Sequence, residues 1–228
     1  MLEIVSFTLG PVQTNAYLVA DSETRDAAVI DPAWDGRLIL AEAQKRNRRI
    51  AHLWYTHAHF DHIGGAGAIA DALNPLPLVA LHPNDHVLWR AAGGGPMFGF
   101  NIDPGPEPTI DLFQGQILKL GNVEFEVRFT PGHTPGHCIF YVANVRVERS
   151  DPKGERSRSV CFCGDLIFQN SVGRTDLPGG DSDALVNSIK TQVFTLPNET
   201  RLLSGRGPET TVGEEKKYNP FVGNSPLG

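Results

Sequence analysis

The chain has 228 residues, of which 40% are hydrophobic, and its formal net charge is -6 at pH 7. A chain of this size can bury a full core, so we expect a single domain over residues 1-228. The acidic balance and the absence of a long Lys/Arg run argue against nucleic acid as a partner. No apolar run has the length of a membrane span, and the N-terminus lacks the basic and apolar regions of a signal peptide. We therefore expect a cytoplasmic protein without a membrane partner.

The cysteines are consistent with the same compartment. Their number is odd, and Cys138, Cys161 and Cys163 all lie in predicted strands. We expect reduced, buried thiols rather than a disulfide framework. Cys161 and Cys163 share one face of their strand, so a redox-active pair is the lesser alternative.

Short apolar strands and one helix fill the first third of the chain. Strands are predicted over residues 4–9, 16–20 and 27–30. The helix that follows is amphipathic, and its predicted apolar side consists of Leu38, Ile39, Ala41 and Ala43. The succession of strand, helix and strand indicates an α/β protein in which helices cover a sheet.

The stretch richest in possible metal-binding side chains follows a buried strand predicted over residues 50–55. It reads Thr56-His57-Ala58-His59-Phe60-Asp61-His62 and lies at the carboxyl end of that strand, where ligands usually bind in α/β sheets. Three histidines and an aspartate cannot all be core residues, because burial of unpartnered polar groups is costly. A divalent metal satisfies them, with His57 and His59 directed to one ion and the other two residues to a second. We prefer this interpretation to a histidine-rich surface loop.

Two further segments bear on the surroundings of this stretch. His82 and His86 lie four apart in a helix predicted over residues 82–90, and we expect a surface or supporting role rather than metal binding. The loop at residues 93–108 is too rich in Gly and Pro for regular structure. Loops of this length are often functional, so we expect Met97, Phe98 and Phe100 to wall an apolar part of a substrate pocket. A loop that merely packs on the surface is an equally good interpretation.

A third imidazole follows a strand predicted over residues 123–129. This strand alternates apolar and polar residues and delivers His133 to the same rim as His57. His137 is the weaker candidate for a ligand, because it begins the next predicted strand.

The last part of the chain adds charged residues. Residues 144–159 carry many charges and turn signals, and we expect a protruding hairpin insertion that is either solvated or a partner contact. The strand predicted at 160–163 places Asp165 at another strand end. The final strand, at 200–203, leads to Arg206.

Three motifs together resemble those of the metallo-β-lactamase fold superfamily. They are an HxHxDH sequence at 57–62, TPGHTPGH at 130–137, and GDLIF at 164–168 followed by SVGRTD at 171–176. Their order and kind are similar to those of the single-domain, glyoxalase II-like hydrolases. The resemblance implies a four-layer αββα sandwich.

The same resemblance implies a set of metal ligands. The first position is formed by His57, His59 and His133, together with Asp165 as a carboxylate that bridges two cations. The second position is formed by Asp61, His62 and Asp165. The implied cofactor is zinc, as one or two ions, with iron or manganese as alternatives.

Arg206 departs from the family pattern. The family usually carries Gly-His-Gly where this chain has Gly205-Arg206-Gly207, and that histidine completes the second metal position. A guanidinium cannot be a ligand, because it stays protonated and has only donors. We expect Arg206 to lie between Asp61 and Asp165 and to form a bidentate pair with one of them. A mononuclear enzyme, a weakened homologue and a deliberate substitution of the ligand all remain open.

The implied reaction is hydrolysis of a small-molecule thioester such as a hydroxyacylglutathione. Asp61 would act in it as general base or water orienter. The run Gly173-Arg174-Thr175-Asp176 stands where glyoxalase II has a Gly-Lys-Phe-Tyr sequence that contacts glutathione, and the chain ends before any C-terminal helical domain. Arg174 is expected to buttress its loop or to pair with a substrate carboxylate, and Arg206 is a further candidate substrate contact.

Two other functional classes remain open. Persulfide dioxygenases share the fold and use one iron held by two histidines and an aspartate, so a mononuclear centre would also suit an oxygenase. A binding protein would keep the metal as a structural element and use the hairpin at 144–159 as its working surface. The acyl group and the oligomeric state are not predicted.

Overall fold

The structure of the protein, a computed structural model, describes residues 1–148 and 158–223. The strands of this part are Leu2–Leu9 (β1), Thr14–Asp21 (β2), Asp26–Ile30 (β3), Arg49–Trp54 (β4), Leu78–Leu81 (β5), Ile110–Asp111 (β6), Ile117–Leu120 (β7), Val123–Phe129 (β8), Cys138–Val145 (β9), Val147–Glu148 (β10), Arg158–Gly164 (β11), Ile167–Phe168 (β12), Ser171–Val172 (β13), Arg201–Ser204 (β14) and Thr210–Thr211 (β15). The α-helices are Gly36–Lys45 (α1), Phe60–Ile63 (α2), Ala66–Asp71 (α3), His86–Arg90 (α4), Ser182–Ser188 (α5) and Val212–Tyr218 (α6). No helix among these residues is long and apolar enough to cross a membrane.

The first sheet has the strand order β10-β1-β2-β3-β4-β5-β6. Its first long strands, β1 to β3, form an antiparallel meander. From β3 to β6 the strands are parallel, and helices α1 and α3 lie in the connections between them. The carboxyl ends of these parallel strands therefore meet at one rim of the sheet.

The second sheet has the strand order β15-β14-β11-β9-β8-β7. Strands β8 and β11 are each antiparallel to β9, and β14 is parallel to β11. Strands β8, β11 and β14 consequently run in the same direction, and their carboxyl ends share a rim. The residues predicted to be functional follow these ends.

The two sheets face each other across an aromatic core. Trp54 from the first sheet contacts Phe125 and Phe140 of the second, with 4.9 Å between the ring centroids of Trp54 and Phe125. The alternation predicted for β8 places Val123, Phe125 and Val127 inside and directs Glu124 to solvent. Burial of such large aromatic side chains supplies much of the hydrophobic free energy that holds the sheets together.

Helices cover the outer face of each sheet. Ile39 of α1 and Ile69 of α3 are buried with residues of the first sheet, whereas Leu185 of α5 is buried with residues of the second. Helix α5 follows Asp181, whose side chain caps it by accepting a hydrogen bond from the amide of Ala184, at 2.9 Å. The order of layers is helix, sheet, sheet and helix, so the predicted αββα sandwich is confirmed.

The buried side of α1 differs from the prediction. Leu38 is 52% exposed and Ala41 also faces solvent, while Ile39, Leu40 and Ala43 are buried. The helix begins at Gly36, itself buried, and the buried residues follow it at the spacing of three and four that one helical face requires. Leu38 and Ala41 lie between these positions and therefore turn outward.

The prediction that residues 93–108 contain no regular structure was wrong for their first part. Residues Ala92–Phe98 form a 3₁₀ helix interrupted at Gly93 and Gly94, whose φ angles of 62° and 73° are left-handed. Gly93 is also confined by contact, since a Cβ there would lie 2.2 Å from the amide nitrogen of Phe60. The glycines thus allow the segment to turn tightly against the loop that carries the histidines.

Two other predictions are modified or lie beyond the described residues. The helix predicted over 82–90 is divided into a 3₁₀ turn, Pro83–Asp85, and α4. The hairpin predicted at 144–159 is flanked by two strands. Strand β9 ends at Val145, and strand β11 begins at Arg158. Residues 149–157, which form the centre of the hairpin, lie outside the described residues.

Candidate metal centre

Three imidazoles predicted to be ligands converge at the common rim of the two sheets. His57 and His59 lie on the loop after β4, and His133 lies on the loop after β8. Their ring centroids are 4.7 to 4.9 Å apart, and one nitrogen of each lies within 4.8 Å of the other two. All three side chains are buried. This spacing allows three nitrogen donors to reach one cation.

The imidazoles are in the state that a metal requires. Burial and the neighbouring imidazoles lower the pKa of His57 well below its usual range, and burial with the charge of His133 lowers the pKa of His59 to about 3. Both rings are therefore neutral at neutral pH and keep a lone pair for a ligand bond. The Nε2 atom of His57 is buried and has no hydrogen-bond partner in the described part of the chain. A cation at this point would satisfy that atom, so the donor set fits a divalent metal.

Hydrogen bonds on the far side of two rings fix their orientation. Nδ1 of His133 donates to the carbonyl oxygen of Arg174, at 2.7 Å, which leaves Nε2 as the lone-pair nitrogen. Nδ1 of His57 lies 3.0 Å from the hydroxyl of Thr56, and that hydroxyl donates to Asp31 at 2.7 Å. Such contacts are typical of histidines that bind metal, because they hold the tautomer and the ring plane.

Asp31 is a part of the site that was not predicted from the sequence. Its carboxylate accepts from the amide and hydroxyl of Thr56, both at 2.7 Å, and lies 3.0 Å from Nδ1 of His62. The only available signal was its place at the carboxyl end of β3, next to the strand that carries the histidines.

The second predicted position contains a guanidinium. Arg206 donates from Nη2 to Asp61 at 2.6 Å and from Nε to Asp165 at 3.0 Å. Its Nη1 donates to the carbonyl of Val12 and to the hydroxyl of Thr14, at 2.8 and 3.2 Å. The predicted location between the two carboxylates is observed. The predicted bidentate pair with one of them is wrong, because the guanidinium bridges both.

His62 completes this cluster as a second cation. Its Nε2 lies 3.2 Å from Asp165 and 3.4 Å from Asp61. Burial alone would lower its pKa, but the charges of Asp165 and Asp61 outweigh burial and raise the pKa well above the usual value. The raised pKa favours the protonated form of His62, which lies between the two carboxylates.

The carboxylates of the cluster are ionised. Burial opposes ionisation of Asp61 and Asp165, but the charge of His62 and then of nearby Arg206 lowers the pKa of both. The structure thus satisfies the carboxylates of the second position with side-chain cations, whereas the three-histidine position retains neutral donors.

A cavity of about 420 Å³ opens beside the cluster. Phe98 and Phe100 line it and contact Phe60, with ring-centroid separations of 5.6 and 5.1 Å. Met97, which was predicted to wall the same pocket, is 70% exposed and does not line this cavity. Arg174 also lines it, but its guanidinium forms a bidentate pair with Asp176, at 2.7 and 2.8 Å. The carbonyl oxygen of Arg174 accepts the hydrogen bond from Nδ1 of His133, so the main chain of this loop supports that imidazole.

The other histidine candidates from the sequence are outside the group of three converging imidazoles. His86 lies 3.4 Å from Asp111, which is 66% exposed, and His82 stacks on Phe129. His137 is buried against His57, and its Nδ1 lies 2.8 Å from the hydroxyl of Thr130.

The three cysteines are free and buried, as expected, and burial raises the pKa of Cys163 well above its usual value.

The four-layer fold and the cluster of buried histidines and aspartates define a class of metal-binding hydrolases. Residues 9–147 match the family model of the metallo-beta-lactamase superfamily, so the chain belongs to that superfamily. Hydroxyacylglutathione hydrolase GloC of Haemophilus influenzae is 32% identical over 230 residues, with 97% of each chain covered.

Two solved structures show the same likeness. The BLEG-1 B3 metallo-beta-lactamase has a TM-score of 0.82 at 33% identity, covering 97% of this chain and 99% of that one. TTHA1623, in a di-iron-bound form, has a TM-score of 0.79 at 39% identity, covering 96% of this chain and all of that one.

Replacement of a central imidazole should abolish metal retention. We expect His57→Ala to retain less than about a tenth of the metal of the unmodified chain after dialysis, because two histidines rarely hold a structural or catalytic ion. Metal per chain would be measured by plasma emission spectrometry. His86→Ala, which removes a histidine outside the centre, should retain the full amount. Equal metal content in His57→Ala and the unmodified chain would contradict the assignment.

Proposed function

We propose that this protein is a metal-dependent hydrolase that cleaves small-molecule thioesters of the hydroxyacylglutathione type. The observation that carries the proposal is the convergence of three neutral imidazoles beside an ionised aspartate at the mouth of a cavity. Support for the thioester comes from the similarity to the GloC hydrolase over nearly the whole length of both chains.

His57, His59 and His133 would hold the ion, and Asp165 lies close by, with its Oδ2 3.8 Å from Nε2 of His133. When bound there, zinc lowers the pKa of water and polarises a carbonyl oxygen. Iron and manganese accept the same donors, and the di-iron form of TTHA1623 supports iron as an alternative to zinc. We expect one ion per chain, because Arg206 and His62 already neutralise the second position.

We assign to Asp61 the role of orienting the attacking water or accepting its proton. Both of its hydrogen bonds, from Thr14 and Arg206 at 2.6 Å, are accepted by Oδ2. Oδ1 receives no hydrogen bond from the described residues, so it is the oxygen that can face the water. The lowered pKa of Asp61, in which the charge of His62 outweighs burial, keeps the group ionised at neutral pH, so that it can accept a hydrogen bond from the water.

The aromatic wall would hold the apolar part of the substrate. Phe98 is 46% exposed and stands beside Phe100 at the cavity opening, so its ring is accessible to a ligand. The guanidinium of Arg174 is already paired with Asp176, which is also exposed. We therefore assign Arg174 to the support of His133, and we place substrate contacts mainly on the phenylalanines.

An oxygenase is the second candidate, and one observation favours it. Because Arg206 bridges Asp61 and Asp165, the site has room for one cation, and a mononuclear iron centre of histidines and an aspartate is what persulfide dioxygenases use. The binding-protein alternative has no such support, since the centre of the hairpin at 144–159 lies outside the described residues.

Hydrolysis of S-lactoylglutathione tests the reaction. We expect metal-loaded protein to release the thiol, and Asp61→Asn to lower kcat by about 10²–10⁴-fold, the usual contribution of a general base. Thiol release would be followed with a colorimetric thiol reagent. Asp71→Asn changes the same functional group on an exposed helix end and should retain full activity. Absence of thiol release, with oxygen consumed in the presence of a persulfide, would replace the hydrolase by the oxygenase.

Removal of the aromatic wall should weaken substrate binding more than chemistry. We expect Phe98→Ala to raise KM about 5–30-fold with kcat changed less than about twofold, since a half-buried ring contributes roughly 1–2 kcal/mol of apolar contact. Steady-state kinetics on the same thioester would measure both constants. Phe113→Ala, a similarly exposed ring that does not line the cavity, is the control. An unchanged KM in Phe98→Ala would exclude the wall from substrate contact.

A further inference from the structure

A buried carboxylate outside the ligand set connects the two loops that carry the histidines. Asp85 ends the 3₁₀ turn Pro83–Asp85 and is fully buried. Its Oδ2 accepts from the amide of Ala58, at 3.0 Å, and from the hydroxyl of Thr134, at 2.8 Å. Its Oδ1 accepts from the amide of Gly136, at 2.6 Å.

Each of these donors is adjacent or close to a histidine of the centre. Ala58 stands between His57 and His59, and Thr134 follows His133 directly. The two loops come from different sheets, the first after β4 and the second after β8. Asp85 belongs to neither, since it follows β5. A single carboxylate from a third segment therefore bridges the two ligand loops.

A second observation shows that the backbone is shaped around this carboxylate. A Cβ on Gly136 would lie 2.6 Å from Oδ1 and 2.7 Å from Cγ of Asp85, so glycine is what allows the loop to approach. The neighbouring Asn84 donates to the carbonyl of Pro135 at 3.3 Å, which adds a further link between the same turn and loop. Burial of a carboxylate is costly, and it raises the pKa of Asp85 even though the hydrogen bonds from Thr134, Ala58 and Gly136 offset part of that cost.

We propose that Asp85 is a positioning residue for the metal centre: through Ala58, Thr134 and Gly136 it holds the histidine loops of the two sheets at the separation that one metal ion requires. It does not touch the reacting atoms, so its effect is on metal affinity and geometry. The proposal rests on the three-histidine centre and not on the identity of the substrate. Its failure and that of the thioester assignment are therefore distinguishable.

Asp85→Asn is the sharpest substitution, because the side chain keeps its size. Its amide presents an NH₂ group to at least one of the three donors, so at least one hydrogen bond is lost. We expect the affinity for zinc, measured by chelator competition on metal-free protein, to fall about 10–100-fold, as for other residues that support metal ligands. The visible absorption bands of the cobalt(II) form should also shift, which a loss of stability alone would not cause. Asp111→Asn, an exposed carboxylate in β6, should change neither reading.

A matched pair at Thr134 keeps the test decisive if Asp85→Asn fails to fold. Thr134→Val removes one donor and should weaken zinc binding several-fold, whereas Thr134→Ser retains the hydroxyl and should bind nearly as the unmodified chain does. Circular dichroism of the metal-free forms verifies folding. A folded Asp85→Asn, or failing that a Thr134→Val, with affinity within twofold of the unmodified chain and an unchanged cobalt spectrum would overturn the proposal. So would an unmodified chain that binds neither metal. Loss of affinity without any thioesterase activity would sustain the positioning role and reject the proposed reaction.

Discussion

Three carboxylates are buried together at one rim of the sandwich, and their charge must be neutralised. Asp31, Asp61 and Asp165 are each at most 4% exposed, and two cationic side chains, His62 and Arg206, lie among them. A buried carboxylate without a partner is among the most costly features a fold can contain. The arrangement of the rest of the rim is consistent with this need, since the strands deliver the acids and the bases to the same place.

This charge balance divides the rim into two unlike positions. The three-histidine position has no fixed positive charge, and its imidazoles are neutral because burial and the neighbouring imidazoles lower their pKa. At the other position a dication would have to displace a guanidinium that donates to both carboxylates, and to remove the proton from His62. Removal of one partner from a fully buried ion pair costs about 3–5 kcal/mol, and the cost here is lower because Arg206 is 33% exposed. We therefore expect a single cation at this rim, with the guanidinium in place of a second.

The sequence predicted the layers through the resemblance of its motifs to a known family, and it predicted the three histidines that the structure brings together. Alternation in β8 and the dense HxHxDH sequence can be recognised without knowledge of the fold. The location of Arg206 between two carboxylates could also be predicted, because Arg206 stands where the family pattern has a metal-binding histidine. Its bridging geometry was not, since that depends on a distance between Asp61 and Asp165 that only the folded chain defines.

The supporting residues were missed for a related reason. Asp31 and Asp85 act through hydrogen bonds to residues 25 or more positions away, and nothing in their own neighbourhood distinguishes them from turn aspartates. The error on α1 was of another kind. Leu38 is apolar, but a shift of the helical face by one position exposes it and buries Leu40. Residue type alone could not determine that shift.

The number of metal ions per chain shows whether Arg206 takes the place of a second cation. The protein and Arg206→His would be purified without added metal, loaded with zinc, dialysed, and analysed for metal per chain by plasma emission spectrometry. The account predicts about one ion in the unmodified chain and about two in Arg206→His, because an imidazole can bind where the guanidinium repels. Arg90→His, which makes the same change on a residue 59% exposed, should remain at about one. Two ions in the unmodified chain, or only one in Arg206→His, would contradict the claim that Arg206 takes the place of a second cation.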